Sequence, residues 1–436
     1  MSIGRALCIS AMLCGLAPCL AVAAAPEGLK VGVAKVDITP TDLAVNGTGA
    51  GPYESVHDPI FGRALVIANG AETAAIVSLD IIDLPVDIKP LRERIQREVG
   101  IAADHVMISV THNHSAPHFS ADWPACNGSS SQCANRPLAD AYTKATSDKI
   151  VDILKRAKAG LQPARMGIGT GSTDVNVNRD LYRDGKWGMG SNPAGPSDKT
   201  VWVAKFESLQ GETIAVLFNY GVHSIATLGK QVVSGDIAGA AERAVEQRHG
   251  DKVVALFTLG AAGDQNPKYP SFPPPKGGDP VAERQFAFAA MEAQGFMLGA
   301  EVLRVSDQIS AGITAPRIAA AQSTFYCPFK PDKKSDPQMA ILKDGVPINL
   351  SALLIGQIAF VGVSGEVVTN ILTHLKKASP LSNTVLFSIT NGRAGYLTDD
   401  ASYDMPVFET NASPAARNCV ENGIVDGAVK LIQQHL

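Results

Sequence analysis

Four times along this 436-residue chain a continuous apolar run, with the length and composition of a buried strand, stops at a polar side chain. The run Val106 to Val110 ends in Thr111-His112-Asn113-His114, and Thr213 to Phe218 leads to His223. The strands over Ala352 to Val363 end in Ser364-Gly365-Glu366, and Thr384 to Ile389 empties into a turn-rich stretch ending at Tyr396. Strands without polar alternation are covered on both faces, which predicts an α/β protein with a central, mostly buried mixed sheet and flanking helices. In such folds the carboxyl ends of neighbouring strands form the crevice where ligands bind. Four such ends can therefore meet in one cleft, and the active site belongs there.

The segments between these runs support that class. Strands are expected over Leu29 to Ile38, Arg63 to Ala68 and Ala74 to Leu79, then a charged amphipathic helix from Ile88 to Val99, closed by Gly100. Further helices are expected over Leu138 to Lys158, Ile237 to Arg248, Val281 to Val305 and Val420 to His435, with strands at Ala164 to Gly169, Val201 to Glu207 and Val253 to Leu259. The stretch Asp174 to Pro196, rich in Asp, Asn, Arg and Gly, reads as a loop, as does the Pro/Gly run Pro267 to Pro280. Gly47-x-Gly49-x-Gly51 lacks the spacing and context of a dinucleotide fingerprint and reads as a flexible turn.

Met1 to about Ala25 has one basic residue (Arg5), an apolar core and small residues before Pro26, the pattern of an export signal. Residues 26–436 are then expected as a single catalytic domain, periplasmic or secreted, with no transmembrane segment in the mature chain. Net charge is −4 with no basic runs, which excludes nucleic acid as an expected partner. Composition leaves the oligomeric state open. Four cysteines remain after the signal, in an oxidising compartment and without a CxxC zinc pattern. Disulfides are expected: Cys126 with Cys133 across the short Ser/Gly-rich loop, which leaves Cys327 for Cys419.

Three of the nine histidines, His112, His114 and His118, fall within seven residues. Side chains two apart on extended backbone share a face, so His112 and His114 can converge as metal ligands or proton carriers. A bare His-x-His is equally what a surface turn looks like, so the weight rests on its partners. Asp80, Asp264 and His57 stand where they can hydrogen-bond ligand imidazoles, although a plain structural role fits each of them as well.

At these residues the chain resembles the neutral, non-lysosomal ceramidase family. Thr111-His112-Asn113-His114-Ser115-Ala116-Pro117 is similar to the family's Thr-His-Thr-His-Ser-Gly-Pro, and Val222-His223-Ser224 with Ser234-Gly235-Asp236 to its second histidine motif. Gly263-Asp264-Gln265-Asn266-Pro267, Arg284-Gln285-Phe286, Gly365-Glu366 and Gly395-Tyr396-Leu397-Thr398 resemble four further motifs in the family's order. The resemblance implies one Zn²⁺ per chain, held by His112, His223, Glu366 and Tyr396, with His114 off the metal as catalytic helper. It implies an exported zinc amidohydrolase of lipid metabolism, cleaving an N-acylated, possibly lipid-like small molecule. The bond cleaved is open to an alternative, an ester, lactone or non-lipid amide, and a catalytically inactive metal-binding homologue is a third reading.

Departures from the family bear on that choice. Asn266 stands where the family has serine, and Phe408 where it has a second tyrosine that helps hold the oxyanion. Phenylalanine cannot donate a hydrogen bond, and losing one oxyanion donor typically lowers rate by about 10²- to 10³-fold. Asn266 and Tyr403 are the expected substrate-binding donors in its place. His118 has no counterpart in the resemblance and is expected in an exposed loop. The immunoglobulin-like C-terminal domain of typical members has no counterpart after Tyr396, which is followed by about 40 residues.

Overall fold

The computed structural model describes residues 1, 28–45, 52–119, 136–269, 278–333 and 344–436. The expected export signal, the expected glycine turn at 46–51 and the expected Cys126–Cys133 pairing lie outside them.

The apolar runs form strands as expected, and their burial on both faces has a two-layer cause. Eight strands make one mixed sheet in the order Val254–Leu259, Thr213–Tyr220, Thr200–Ser208, Gln162–Ser172, Lys30–Asp37, Phe61–Asn69, Glu72–Leu79, Val106–Val110. Four more, Ile318–Cys327, Val346–Ile355, Ile358–Val363 and Asn383–Phe387, make a second sheet. Alternate residues of one strand face opposite layers. Leu65 and Ile67 pack with Phe206, Leu353, Phe360 and Phe387 between the sheets, while Ala64 and Val66 pack under the helices with Ile150 and Leu154. Each fully buried large side chain contributes about 1.5–3 kcal/mol, so both faces of the large sheet hold the fold.

The β layer is thus two sheets rather than the one expected. Strand sequences cannot distinguish a sheet covered by helices twice from a sheet covered once by helices and once by another sheet. The outer layers are helices: Lys89–Val99, Arg136–Ala159, Asp236–Arg248 and Pro280–Gln308 on the large sheet, Thr369–Ala378 and Val420–Gln433 on the small one. Gly100 ends the first helix in the left-handed conformation (φ 70°) that glycine adopts without strain. A disulfide joins Cys327, at the end of an edge strand of the second sheet, to Cys419 before the last helix.

The expected loop Asp174 to Pro196 is instead a hairpin, Asn176–Arg183 with Lys186–Asn192, in a three-stranded sheet with Gln265–Pro267. Its turn is Asp184-Gly185, both at positive φ (53° and 76°), a short-range hairpin signal that the polar composition hid.

Candidate functional site

The strand ends converge. After Val110 and Tyr220 the chain continues in register, Asn113 bridging Ser224 in parallel and His114 N donating to Ser224 O at 3.1 Å. Glu366 and Tyr396 are themselves paired in a two-stranded parallel ladder, Glu366 N donating to Gly395 O at 2.9 Å. Four segments distant in sequence therefore deliver their polar residues to one level.

His112 arrives by an unusual backbone route. It is not extended but left-handed, at φ 55°, a conformation costing a non-glycine residue on the order of 1–2 kcal/mol. That turn aims Nδ1 at Ile82 O, 2.7 Å away, so Nδ1 carries the proton and Nε2 presents a lone pair. His223 is held in the same way, with Nδ1 3.1 Å from Gln265 O. Both Nε2 atoms lie 3.2 Å from Glu366 Oε2, and the Tyr396 hydroxyl is 3.4 Å from His223 Nε2. His114 Nε2 is 3.1 Å from His112 Nε2, the two rings nearly perpendicular. The His-x-His pair does converge, through a turn rather than along a strand.

Electrostatics follow from burial and this crowding. Burial disfavours the Glu366 carboxylate, yet His112 and His223 override it and hold its pKa well below the usual range. Burial likewise opposes charge on His112, and Glu366 more than offsets it, raising that pKa. Burial and the neighbouring imidazoles push His114 well down, and burial with Arg179 lowers His223 to about 4. Burial first, then Glu366, raises Tyr396, while the Arg179 guanidinium opposes. Two imidazole lone pairs, a carboxylate and a phenol oxygen around one point form a donor set suited to a cation. The ligand nitrogens of His112, His114 and His223 lie within 4.8 Å of one another.

The expected neighbours are sorted differently by the structure. The atoms that orient the imidazoles are the backbone carbonyls of Ile82 and Gln265, not carboxylates. Asp80 accepts from Phe61 N and Arg63, and Asp264 from Thr369 and Asn178, while His57 pairs with Asp58 and stacks on Phe288. Tyr403 is a correction: its hydroxyl donates to Ala415 O at 2.8 Å and is spent there. His118 is a second: it is buried, beside Asp83, because the chain after Pro117 turns inward to an Asp83–Arg393 ion pair.

Sequence reasoning missed Arg179, which stands between Asn266 and Phe408. Buried to 3% exposure, it donates from Nη2 to the Tyr396 hydroxyl (3.1 Å), from Nη1 to Asn266 Oδ1 (3.2 Å) and from Nε to Glu409 (2.5 Å). Its guanidinium also lies 5.3 Å from the Phe408 ring centre, and Phe408 packs edge-on against Tyr396. A β-bulge between Asn178 and Asp180 re-aims the side chain there. The hairpin signal at Asp184-Gly185 was the one clue that Arg179 sits in a strand.

Fold and site together define a class: an α/β protein carrying a buried imidazole–carboxylate–phenol cluster at its strand ends. The chain belongs to the neutral/alkaline non-lysosomal ceramidase family, whose N-terminal profile matches residues 29–273. It is 28% identical over 264 residues to the neutral ceramidase of Pseudomonas aeruginosa, an alignment covering 55% of this chain and 37% of that protein. The crystal structure of the Pseudomonas aeruginosa neutral ceramidase superposes with a TM-score of 0.72 at 19% identity, over 94% of this chain and 75% of the other. A structure described as ceramidase complexed with C2 gives 0.73 at 19% identity, over 94% and 76%. Glu366 and Tyr396 lie beyond the profile match, so their membership of the cluster rests on geometry.

Proposed function

We propose that this chain is an exported zinc-dependent hydrolase that cleaves the amide bond of an N-acylated, lipid-like substrate, with residues 26–436 as one catalytic unit. The observation that carries the reading is the convergence of His112 Nε2, His223 Nε2, Glu366 Oε2 and the Tyr396 hydroxyl within 3.2–3.4 Å contacts. Family membership supports the bond type. These four residues would hold the ion, and Zn²⁺ when bound supplies Lewis acidity toward water and the substrate carbonyl.

The chain's own groups do the rest. Ile82 O and Gln265 O keep both ligand imidazoles in one tautomer and orientation. His114, beside the ligand imidazoles and with its pKa depressed by burial and its neighbours, would shuttle a proton from the attacking water to the departing amine nitrogen. Arg179 assumes the donor role that Phe408 cannot fill, with Asn266 fixing one edge of its guanidinium. Water is added across the C–N bond, and the products are a carboxylate and an amine.

Phe408 in place of a tyrosine favours a second reading, the same centre acting on an ester, lactone or non-lipid amide. Metal analysis and a panel of N-acyl sphingoid bases, N-acyl amino acids and simple esters separate the two, with zinc chelated and restored. The first reading expects about one zinc per chain and turnover of the acylated amines. A His112→Ala variant that kept both zinc and activity would sink it.

A further inference from the structure

The helix Pro280–Gln308 packs one face within the chain, and among the described residues nothing covers the opposite face. On the inner side Gly295 and Gly299 bring it tightly onto Asp236–Arg248; an added Cβ would lie 2.3 Å from Ala240 Cβ and 2.8 Å from Ala244 Cβ. Leu298, Val302 and Val305 are buried beside them. The outward face of such a helix ordinarily carries charge. Here it carries Ala282, Phe286, Ala289, Ala293, Phe296 and Ala300, all exposed, with Phe286 at 54% and Phe296 at 66%. Their spacing of four and three residues keeps them within about 40° of one line along the helix. The helix is apolar enough by composition to cross a membrane, although 44% of its most apolar window is buried in the protein.

The order of residues along the stripe points to its occupant. Ala282 and Ala300, Phe286 and Phe296, and Ala289 and Ala293 stand symmetrically about position 291. An identical helix laid antiparallel across a two-fold axis at that level sets Phe286 against Phe296 of the second copy and Ala289 against Ala293. Two Phe–Phe layers then flank an Ala–Ala centre where the backbones approach closely, the self-complementarity an isologous contact requires. A lipid surface would call for a row of basic residues along the flanks, whereas the exposed flanking positions hold Gln285, Glu292 and Met297, and the basic residue nearest the stripe, Arg304, is already paired with Glu301.

We propose that the Ala282–Ala300 face is the interface of a two-fold symmetric dimer of this chain. Phe286 and Phe296 each leave roughly 100 Å² exposed, so the stripe offers on the order of 500 Å² per copy. The total of about 1,000 Å² falls below the roughly 1,200 Å² at which specific stable interfaces begin, and predicts a weak dimer that dissociates in the micromolar range.

Sedimentation velocity and light scattering of the full purified chain, from about 1 to about 100 µM, test it. The mass should double with concentration, and Phe286→Asp/Phe296→Asp should remain monomeric with an unchanged melting temperature. Ala293→Arg, which alters only the two-fold centre, guards against a double variant that fails to fold and should also be monomeric. Leu209→Asp, at an apolar side chain exposed elsewhere, should dimerise like the wild type. The proposal is overturned by a wild type monomeric throughout, including one that instead sediments with zwitterionic or anionic phospholipid vesicles. Stripe variants that fold and still dimerise overturn it too.

Discussion

Two of the buried polar clusters among the described residues, one around Arg63 and one at the strand ends, differ in where their positive charge comes from. Around Arg63 the cations are side chains: Nη1 contacts Asp80 (2.8 Å) and Glu242 (2.6 Å), Nε contacts Glu246 (3.3 Å), and Lys35 reaches Glu246 at 2.7 Å. Burial raises the pKa of both Glu242 and Asp80 against the pull of the Arg63 guanidinium, so the acids of this cluster are held by cations that the chain itself supplies. At the strand ends, Glu366, three imidazoles and Tyr396 face one another, and the adjacent guanidinium, Arg179, is already paired with Glu409. The first cluster contains its own cations. On the proposed reading the second would be completed by a bound cation, and similar burial and similar residue types would then serve different roles.

The comparison breaks most readily at Glu366. Glu366→Gln should leave a folded protein and remove zinc, lowering hydrolysis by on the order of 10³-fold or more, because Lewis-acid stabilisation supplies several kcal/mol; metal content and rate are measured together. Full retention of zinc would make the two clusters alike. Arg63→Met should do the reverse, lowering unfolding free energy by about 3–5 kcal/mol in urea titration while folded protein keeps its metal. Arg179→Gln tests the boundary between the clusters, with an expected loss of about 10²- to 10³-fold in kcat and little loss of zinc.

The smallest effect concerns Asp180, which the bulge sets next to Arg179. Burial, then the Glu409 carboxylate, with Asp264 adding and Arg179 opposing, push its pKa up to about 8. A raised folded-state pKa means that the protonated form stabilises; the contribution is complete below about pH 4 and is lost as pH rises toward about 8. Asp180→Asn stays neutral throughout, so its urea midpoint should fall less than the wild type's across that window.

Much of this was legible in the residues. The helix closed by Gly100, the strands ending at His112 and His223 and the Glu366 turn follow from local periodicity and stop signals. The hairpin carrying Arg179 was hidden because a two-sided polar strand has no apolar alternation to mark it. His118 was misplaced for a related reason: composition marks a polar loop, while its burial depends on Asp83 and Arg393, far away in sequence. Tyr403 looked available because sequence does not say which carbonyl a hydroxyl has already met.

Sequence by itself determined the strands, the helices and the kinds of atom delivered at four strand ends, because these depend on local periodicity and side-chain chemistry. The tertiary structure alone decided that an eight-stranded sheet and a second sheet bring those ends to one point. It also decided that His112 turns left-handed to reach Ile82, and that Arg179 enters between Asn266 and Phe408. Distances between residues as remote as 112 and 366 are set by the packing of whole layers, and no local pattern encodes them.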